Sequence, residues 1–221
     1  MKYVRMLSMV VLCLLFLLAG CAGKGPVGAG VPSASKLETH PQDDRALLYM
    51  NPDAPKKNYS KFIIEPVEIY QGQDHGFGDI PMEDRQMMAD FTRKEMTRVL
   101  DEKFDIVEKP GPGTMRIRLI LVGLEKTSTV LRGLTYGNPI GLATNLGKGA
   151  LGKQGNFMGS ITLAGEFEDT ETGTVLAAFM GKINPFALSP SFLPWDAAKL
   201  GATRLATDFR DRIDKSYERP K

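Results

Sequence analysis

Few side chains in this chain of 221 residues have the type and spacing for acid–base or metal chemistry. The two histidines, His40 and His75, lie far apart in the sequence. His75 follows Asp74 in a polar loop, where the carboxylate could orient the imidazole or join it in binding a metal. A solvated loop histidine is the simpler interpretation. We therefore predict no catalytic residue and no metal site here.

The segment from Gly147 to Lys153 has the glycine and lysine spacing of a phosphate-binding P-loop. The motif needs Ser or Thr at the next position to hold magnesium, and Gln154 stands there. Glycines at positions 155 and 159 also disfavour the helix that must follow. Nucleotide binding is therefore not predicted, and no cofactor is expected.

The cysteine thiols are the remaining candidates, and one of them stands in a specific context. Leu18-Ala19-Gly20-Cys21 ends a leader in which a short cationic start precedes an apolar run over residues 6–18. This run is shorter than the ~20 residues that span a bilayer, so we predict that it is removed. The four residues resemble the lipobox of a bacterial lipoprotein signal peptide. The resemblance implies cleavage before Cys21, a diacylglyceryl thioether on its sulfur and usually an acyl group on its amino terminus. An ordinary secretory leader and an uncleaved anchor helix are the alternatives.

Lipidation at Cys21 would make the membrane the first partner of the mature chain. Each buried methylene adds about 0.8 kcal/mol to membrane affinity, so two or three acyl chains anchor a protein stably. Position 22 is Ala, and not the Asp that by analogy retains lipoproteins at the inner membrane. The predicted location is therefore the periplasm-facing leaflet of the outer membrane, with the inner membrane as the alternative.

Removal of the leader also changes the charge and the redox chemistry. Taking Lys2 and Arg5 from the 28 basic residues leaves 26, which equals the 26 acidic residues. A neutral protein has no electrostatic support for nucleic acid as a partner. Cys13 leaves with the leader and Cys21 carries the lipid, so the mature fold is predicted to contain no disulfide.

The pattern of composition divides the chain into three parts: a signal peptide over 1–20, a lead-in over 21–57 and one domain over 58–221. Residues 22–35 are almost all small or apolar and have no helical or strand period, which predicts a flexible tether. Residues 36–57 are more polar and are interrupted by Pro41, Pro52 and Pro55. We predict no regular element in them.

Hydrophobic periodicity predicts the elements of the domain. Strands are expected over 61–70, with Pro66 at an edge or bulge, and over 104–107, 114–121, 160–169 and 175–183. Amphipathic helices are expected over 82–103 and 195–217. This order predicts an α+β fold, with a mostly antiparallel sheet of about five strands and both helices packed on one face.

Alternation within the strands predicts what each sheet face carries. Ile117 and Leu119 point toward the core, whereas Arg116 and Arg118 point the other way. In the strand over 160–169, Ile161, Leu163 and Phe167 are expected inward and Thr162, Glu166 and Glu168 outward. The outer face is thus predicted to be solvated, with an exposed partner-binding face as the alternative.

The domain resembles a family of small proteobacterial lipoproteins built on a domain of unknown function. The resemblance is carried by YSKFIIEPVEIY at 59–70, PGPGTMRIRL at 110–119, GEFEDTETGTVLAAF at 165–179 and a tryptophan, Trp195, ahead of the last helix. It implies a lipid-anchored periplasmic α+β domain and assigns no catalytic residue.

The segment over 131–158 is the part least like a plain domain. It is rich in glycine, and no acidic residue occurs between Glu125 and Glu166. One interpretation is a long mobile insertion between two strands. The other is an apolar, cationic lip that contacts the lipid surface or a membrane partner. Its contact residues would be Arg132, Leu134, Leu142, Leu146, Lys148 and Lys153.

Taken together, the sequence predicts a lipid-anchored cell-envelope protein that is not an enzyme. It would act as a structural, assembly or accessory factor in the periplasm, with an envelope protein as its partner. The alternatives are a periplasmic module that binds a small ligand or peptide and, last, a hydrolase of envelope polymers.

Overall fold

The computed structural model describes residues 30–41, 43–55, 57–127, 159–184 and 193–218. A single turn of 3₁₀ helix over Ala34–Lys36 precedes the first strand. Two α-helices follow later in the chain, α1 over Met82–Asp101 and α2 over Asp196–Glu218. The strands are β1 (Glu38–His40), β2 (Asp43–Met50), β3 (Lys61–Ile64), β4 (Glu68–Ile69), β5 (Asp105–Ile106), β6 (Thr114–Glu125), β7 (Ser160–Asp169) and β8 (Val175–Ile183).

The eight strands form one mixed sheet in the order β1-β2-β8-β7-β6-β3-β5, and β4 also pairs with β6. The α+β class and the two helices are confirmed. The predicted sheet of about five mostly antiparallel strands is wrong, because β3 and β4 run parallel to β6 and β3 also runs parallel to β5. The physical reason is the crossover through α1, which brings the chain back to the sheet in its original direction.

Both helices pack on one face of the sheet and enclose the main core. Thr92, Met96 and Leu100 lie on the buried side of α1, and Ala198, Ala202 and Ala206 are buried on α2. The rings of Phe62, Phe167 and Phe179 extend from the sheet into this layer. Phe209 of α2 stacks on Phe167, with ring centroids 4.6 Å apart. The predicted inward positions of β6 and β7 therefore form the helix-covered face.

The other face of the sheet carries a second apolar cluster, which the predicted solvated face did not include. Ile120, Val122, Ala164, Ala178 and Met180 are buried there. Val31, which is 4% exposed, packs on this cluster together with four partly buried side chains: Leu37, Leu47, Tyr49 and Tyr70. The sheet is thus covered on both sides where this cluster lies.

The cover comes from the segment that was predicted to be a tether and an irregular lead-in. Residues 31–50 instead contribute two buried side chains, a 3₁₀ turn and the strands β1 and β2. Five residues of β2 pair with β8, from Ala46 with Gly181 to Met50 with Ala177. Pro41 occupies the turn between β1 and β2, where a missing N–H costs nothing, so the prolines punctuate strands and do not prevent them.

One close backbone contact fixes the loop between β4 and α1. Gly76 forms a parallel bridge with Gly123 of β6, and a Cβ on Gly123 would lie 2.8 Å from the Gly76 carbonyl oxygen. That distance is too short for a real Cβ, so only glycine fits here. The contact holds the 71–80 loop, with His75, beside the sheet.

Candidate functional site

The residues that the sequence singles out for function lie outside the described part of the chain. These are Cys21 with Leu18, Ala19 and Gly20, and the contact residues Arg132, Leu134, Leu142, Leu146, Lys148 and Lys153. Their roles stay predictions. The described residues show where the chain enters the domain after Cys21. They also show where the chain leaves and re-enters the domain on either side of the 128–158 segment.

The 128–158 segment begins and ends at one end of the sheet, which we call the insertion end. Glu125 closes β6 opposite Ser160, the first residue of β7, and the Ser160 hydroxyl donates to the Glu125 carboxylate over 2.8 Å. The Thr127 N–H donates to the Pro194 carbonyl over 2.9 Å, just before α2. β8 ends here as well, since Ile183 pairs with Ile161. The opposite end, which carries the turn between β7 and β8, is called the hairpin end.

The insertion end exposes apolar side chains next to an aromatic ring. Leu193 is 65% exposed and Met82, the first residue of α1, is 49% exposed. The ammonium of Lys126 lies 5.2 Å from the centre of the Trp195 ring and 3.6 Å from a carboxylate oxygen of Asp84. This end therefore combines apolar side chains, a half-buried tryptophan and a cation.

A network of ion pairs occupies the outer face toward the hairpin end. Arg116 Nη1 lies 2.7 Å from Glu168, and its Nε lies 3.1 Å from Glu65. Arg118 approaches the other oxygen of Glu168 at 3.4 Å, and its side chain is 44% exposed. These three residues of β6 and β7 do face outward, as predicted. The Arg116 and Glu168 side chains are only 21% and 15% exposed, so their pair is partly buried, whereas the contact of the more exposed Arg118 adds less than about 1 kcal/mol to stability.

Between this network and the apolar cluster lies a buried carboxylate. Glu166 is 3% exposed, although the sequence placed it on a solvated face. The backbone N–H of Ser33 donates to its Oε1 over 2.7 Å, and the Ser33 hydroxyl donates to the same oxygen. The burial follows from the 31–50 segment, whose Ser33 is itself 6% exposed. Glu166 thus fixes the start of the described chain to the middle of the sheet.

A second buried carboxylate lies three residues further along β7, at the hairpin end. Asp169 is fully buried, and its Oδ2 lies 2.6 Å from the Lys57 ammonium. The Tyr59 hydroxyl donates to Oδ2 over 2.8 Å. Its Oδ1 accepts the backbone N–H groups of Glu171 and Thr172 over 2.8 and 3.2 Å, which closes the turn to β8.

These contacts change the acidity of the groups involved. Burial alone would raise the pKa of Asp169, but the hydrogen bonds from Lys57, Tyr59 and the backbone of the turn outweigh it and hold the pKa at about 2. Burial, together with the hydrogen bond to Asp169, raises the pKa of the Tyr59 phenol. Asp169 is therefore ionised at neutral pH, and its role is structural: it holds the groups that donate hydrogen bonds to it in place.

Asp74 and His75 of the 71–80 loop each contact another group and are not arranged as a catalytic pair would be. Asp74 accepts a hydrogen bond from the Tyr70 hydroxyl over 2.8 Å. His75 Nδ1 accepts the N–H of Phe77 over 3.3 Å, and its ring is tilted against the Phe77 ring. Among the residues that the structure describes, no three histidine, cysteine or acidic side chains are grouped so that they could hold a metal ion.

An open groove runs along the exposed side of α1. It has a volume of about 510 Å³ and is lined by Asp90, Arg93, Lys94, Thr97 and Arg98. All of these belong to one helix, and Arg98 already pairs with Glu95 and Glu102 at 2.8 and 2.9 Å. The groove is therefore a depression of the surface, and not a cleft between elements.

The two anchoring carboxylates were missed by sequence reasoning, and only one of them left a signal. Asp169 has the same parity along β7 as Ile161, Leu163 and Phe167, so alternation places it on the core side. A carboxylate at a core position needs a partner, which points to a nearby cation. Glu166 has outward parity, and nothing in the strand itself reveals its burial.

A family model described as a protein of unknown function, DUF3313, matches residues 29–209. The chain belongs to this family. The match starts at the point where the described fold starts, so the family's domain includes β1 and β2 with the rest of the sheet. No curated protein matches the chain.

Three solved structures are similar to this chain at low sequence identity. Two are PelC dodecamers from Paraburkholderia phytofirmans, one of them a variant, with 9% and 8% identity and TM-scores of 0.39 and 0.38; each comparison covers 80% of this chain and 98% of that one. The third is the protein XCC0632 from Xanthomonas campestris, of the family DUF330, with 10% identity, a TM-score of 0.37 and coverage of 76% and 91%. Nothing about function follows from similarity at this level.

Proposed function

We propose that this protein is a lipid-anchored domain of the cell envelope, held at the periplasm-facing leaflet of the outer membrane through Cys21. The observation that carries the proposal is the Leu18-Ala19-Gly20-Cys21 sequence at the end of a short apolar leader. The acyl chains would hold the domain in place, since two or more of them anchor a protein stably. Neither helix in the described part of the chain is long and apolar enough to cross a bilayer.

We further propose that the domain acts through its surface as a structural, assembly or accessory factor, with an envelope protein as its partner. Supporting this, the two buried carboxylates among the described residues, Glu166 and Asp169, are each engaged by side chains and N–H groups of the same chain. Both carboxylates therefore serve to stabilise the fold. The partner would therefore bind the outer face of the sheet or its insertion end.

The two cysteines of the chain provide a matched test of the anchor. Cells that express the protein are labelled with a palmitate analogue, and the membrane fraction is separated from the soluble periplasm. We expect the Cys21→Ser variant to lose the label and to leave the outer-membrane fraction. The Cys13→Ser variant, whose change lies in the leader, should keep both. Equal labelling of the two variants, or no label on the unaltered protein, would refute the anchor.

The proposed surface role is tested by crosslinking in living cells. An exposed side chain on the outer face, Arg118, is replaced by a photoreactive residue, and Asp90 on the exposed side of α1 receives the same residue as the control. A structural or accessory factor should give one discrete crosslinked envelope protein from the first position and none from the second. The same band from both positions would contradict a defined partner surface.

A further inference from the structure

The chain approaches the domain along a defined path, which gives the direction from which an anchor would arrive. Ser33 is held by Glu166, which lies opposite Arg118 of β6. A Cβ on Gly30 would lie 3.4 Å from the end of the Ile120 side chain. Ile120 stands two residues further along β6, in the direction of the insertion end. Followed backward from Ser33 to Gly30, the chain therefore heads toward the insertion end.

The length of chain before Gly30 limits how far the domain can sit from a lipid at Cys21. Eight residues separate the two positions. A fully extended backbone spans at most about 3.3 to 3.6 Å per residue, so Cys21 lies within about 30 Å of Gly30. The strand from Ile120 to Glu125 covers about 17 Å of this distance. A lipid on Cys21 is therefore able to reach the level of the insertion end.

The side chains at the insertion end fit a lipid surface. Leu193, which is 65% exposed, lies two residues before Trp195, and the Lys126–Asp84 contact places Met82, at the start of α1, at the same end. Trp side chains favour the headgroup region of membranes, where the apolar ring and the polar N–H both find partners. Lys126, which is half exposed beside the Trp195 ring, adds a cation that anionic headgroups attract.

We infer that the insertion end of the sheet rests on the membrane that holds Cys21, with Leu193 and Trp195 at the level of the lipid headgroups. The hairpin end then points away from the membrane, and the charged part of the outer face around Arg118 stays accessible to a partner in the periplasm. The inference deepens the proposed function and rests on it, because the lipid anchor supplies the tether.

The single tryptophan of the chain is a built-in probe of this orientation. The full-length lipidated protein is reconstituted into vesicles of phosphatidylethanolamine and phosphatidylglycerol, with or without lipids brominated near the headgroup. Bromine quenches tryptophan only at short range. We expect the Trp195 emission to fall by about half in brominated vesicles, because interfacial side chains lie within the outermost ~5 to 10 Å of the bilayer. The Leu193→Gln variant, changed at an exposed position, should lose most of this quenching.

The control moves the probe to the opposite end. Lys109 is exposed in the loop before β6, at the hairpin end. In the Lys109→Trp, Trp195→Phe double variant, brominated lipid should leave the emission unchanged. Quenching at this position and not at Trp195, or no quenching at either while the protein floats with the vesicles, would overturn the orientation and leave the anchor intact. A protein that does not float with the vesicles would refute the anchor and the orientation together.

Discussion

The two buried carboxylates of β7 hold the same N-terminal segment, but by different means. Among the described residues, Ser33 is the hydrogen-bond partner of Glu166, which lies beside the apolar cluster of the outer face. Asp169 is held by two side chains and two backbone N–H groups, and one of its partners, Lys57, is a cation. The comparison indicates that the segment has a weak attachment near the predicted anchor and a strong one where it joins β3.

The difference matters because the two attachments enclose β1 and β2. The chain is fixed at Ser33, crosses to the far edge of the sheet and returns at Tyr59. If both attachments hold, only residues 22–29 separate Cys21 from the domain. If the Ser33 attachment failed alone, the tether would lengthen only by the residues before β1, because β2 stays paired with β8. The Ser33 attachment therefore decides how short the link between Cys21 and the domain is.

The largest effect is expected from removing the charge at the strong attachment. In the Asp169→Asn variant, Lys57, the Tyr59 hydroxyl and two backbone N–H groups lose their shared charged acceptor, so the free energy of unfolding should fall by about 3 kcal/mol. Urea denaturation measures the change. Glu171→Gln is the matched control, because Glu171 also contacts Lys57 but is exposed, so its loss should cost less than about 0.5 kcal/mol. Equal losses of unfolding free energy in the two variants would contradict the greater importance of the buried carboxylate.

The pH dependence of stability should report the same carboxylate. The pKa of Asp169 in the fold is about 2, below its ordinary value of 3.8. Its contribution is therefore complete above pH 4 and is lost as the pH falls from about 4 to about 2, and it amounts to roughly 2 kcal/mol. Unfolding measured across this range should show the drop in the unaltered protein, and a smaller one in Asp169→Asn. A drop of the same size in both would assign it to other groups.

The smallest effect is expected at the weak attachment. The Ser33→Ala variant loses the hydroxyl donor but keeps the backbone N–H, so the cost should be about 1 to 2 kcal/mol. Ser35→Ala, at an exposed position in the same 3₁₀ turn, is the control and should be neutral. Limited proteolysis of the lipidated protein is the most direct measurement, since cleavage before β2 should become faster only in Ser33→Ala. Faster cleavage in both variants would contradict the claim that the Ser33–Glu166 contact holds this segment on the sheet.

The same comparison explains how far the sequence could predict the fold. Apolar alternation and helical periodicity located both helices and the four strands from β5 to β8, because each of these elements buries its own regular stripe. Pro66 does divide the predicted first strand, since β3 ends at Ile64 and β4 begins at Glu68. The parallel pairing with β6 was implied by the strand–helix–strand order, but the prediction did not use it.

The strands β1 and β2 could not be predicted in the same way. Their stabilisation comes from pairing with β8 and from covering Ile120 and Val122, which are contacts distant in sequence. Within the segment itself, Pro41 and the surrounding charges conceal the pattern. The burial of Glu166 follows from the same cover, so a single missed element accounts for both errors.

Residues 31–59 belong to the folded domain, and we propose that only the short segment before them links the domain to the membrane. Hydrogen exchange of the full lipidated protein tests it at the backbone amide of Ser33. We predict that the β2 amides that pair with β8 exchange as slowly as those of β8, and that the Ser33 amide exchanges faster than these but well below the rate of an unprotected chain. Exchange of the Ser33 amide at the rate of an unprotected chain, while β6 and β7 stay protected, would contradict the claim.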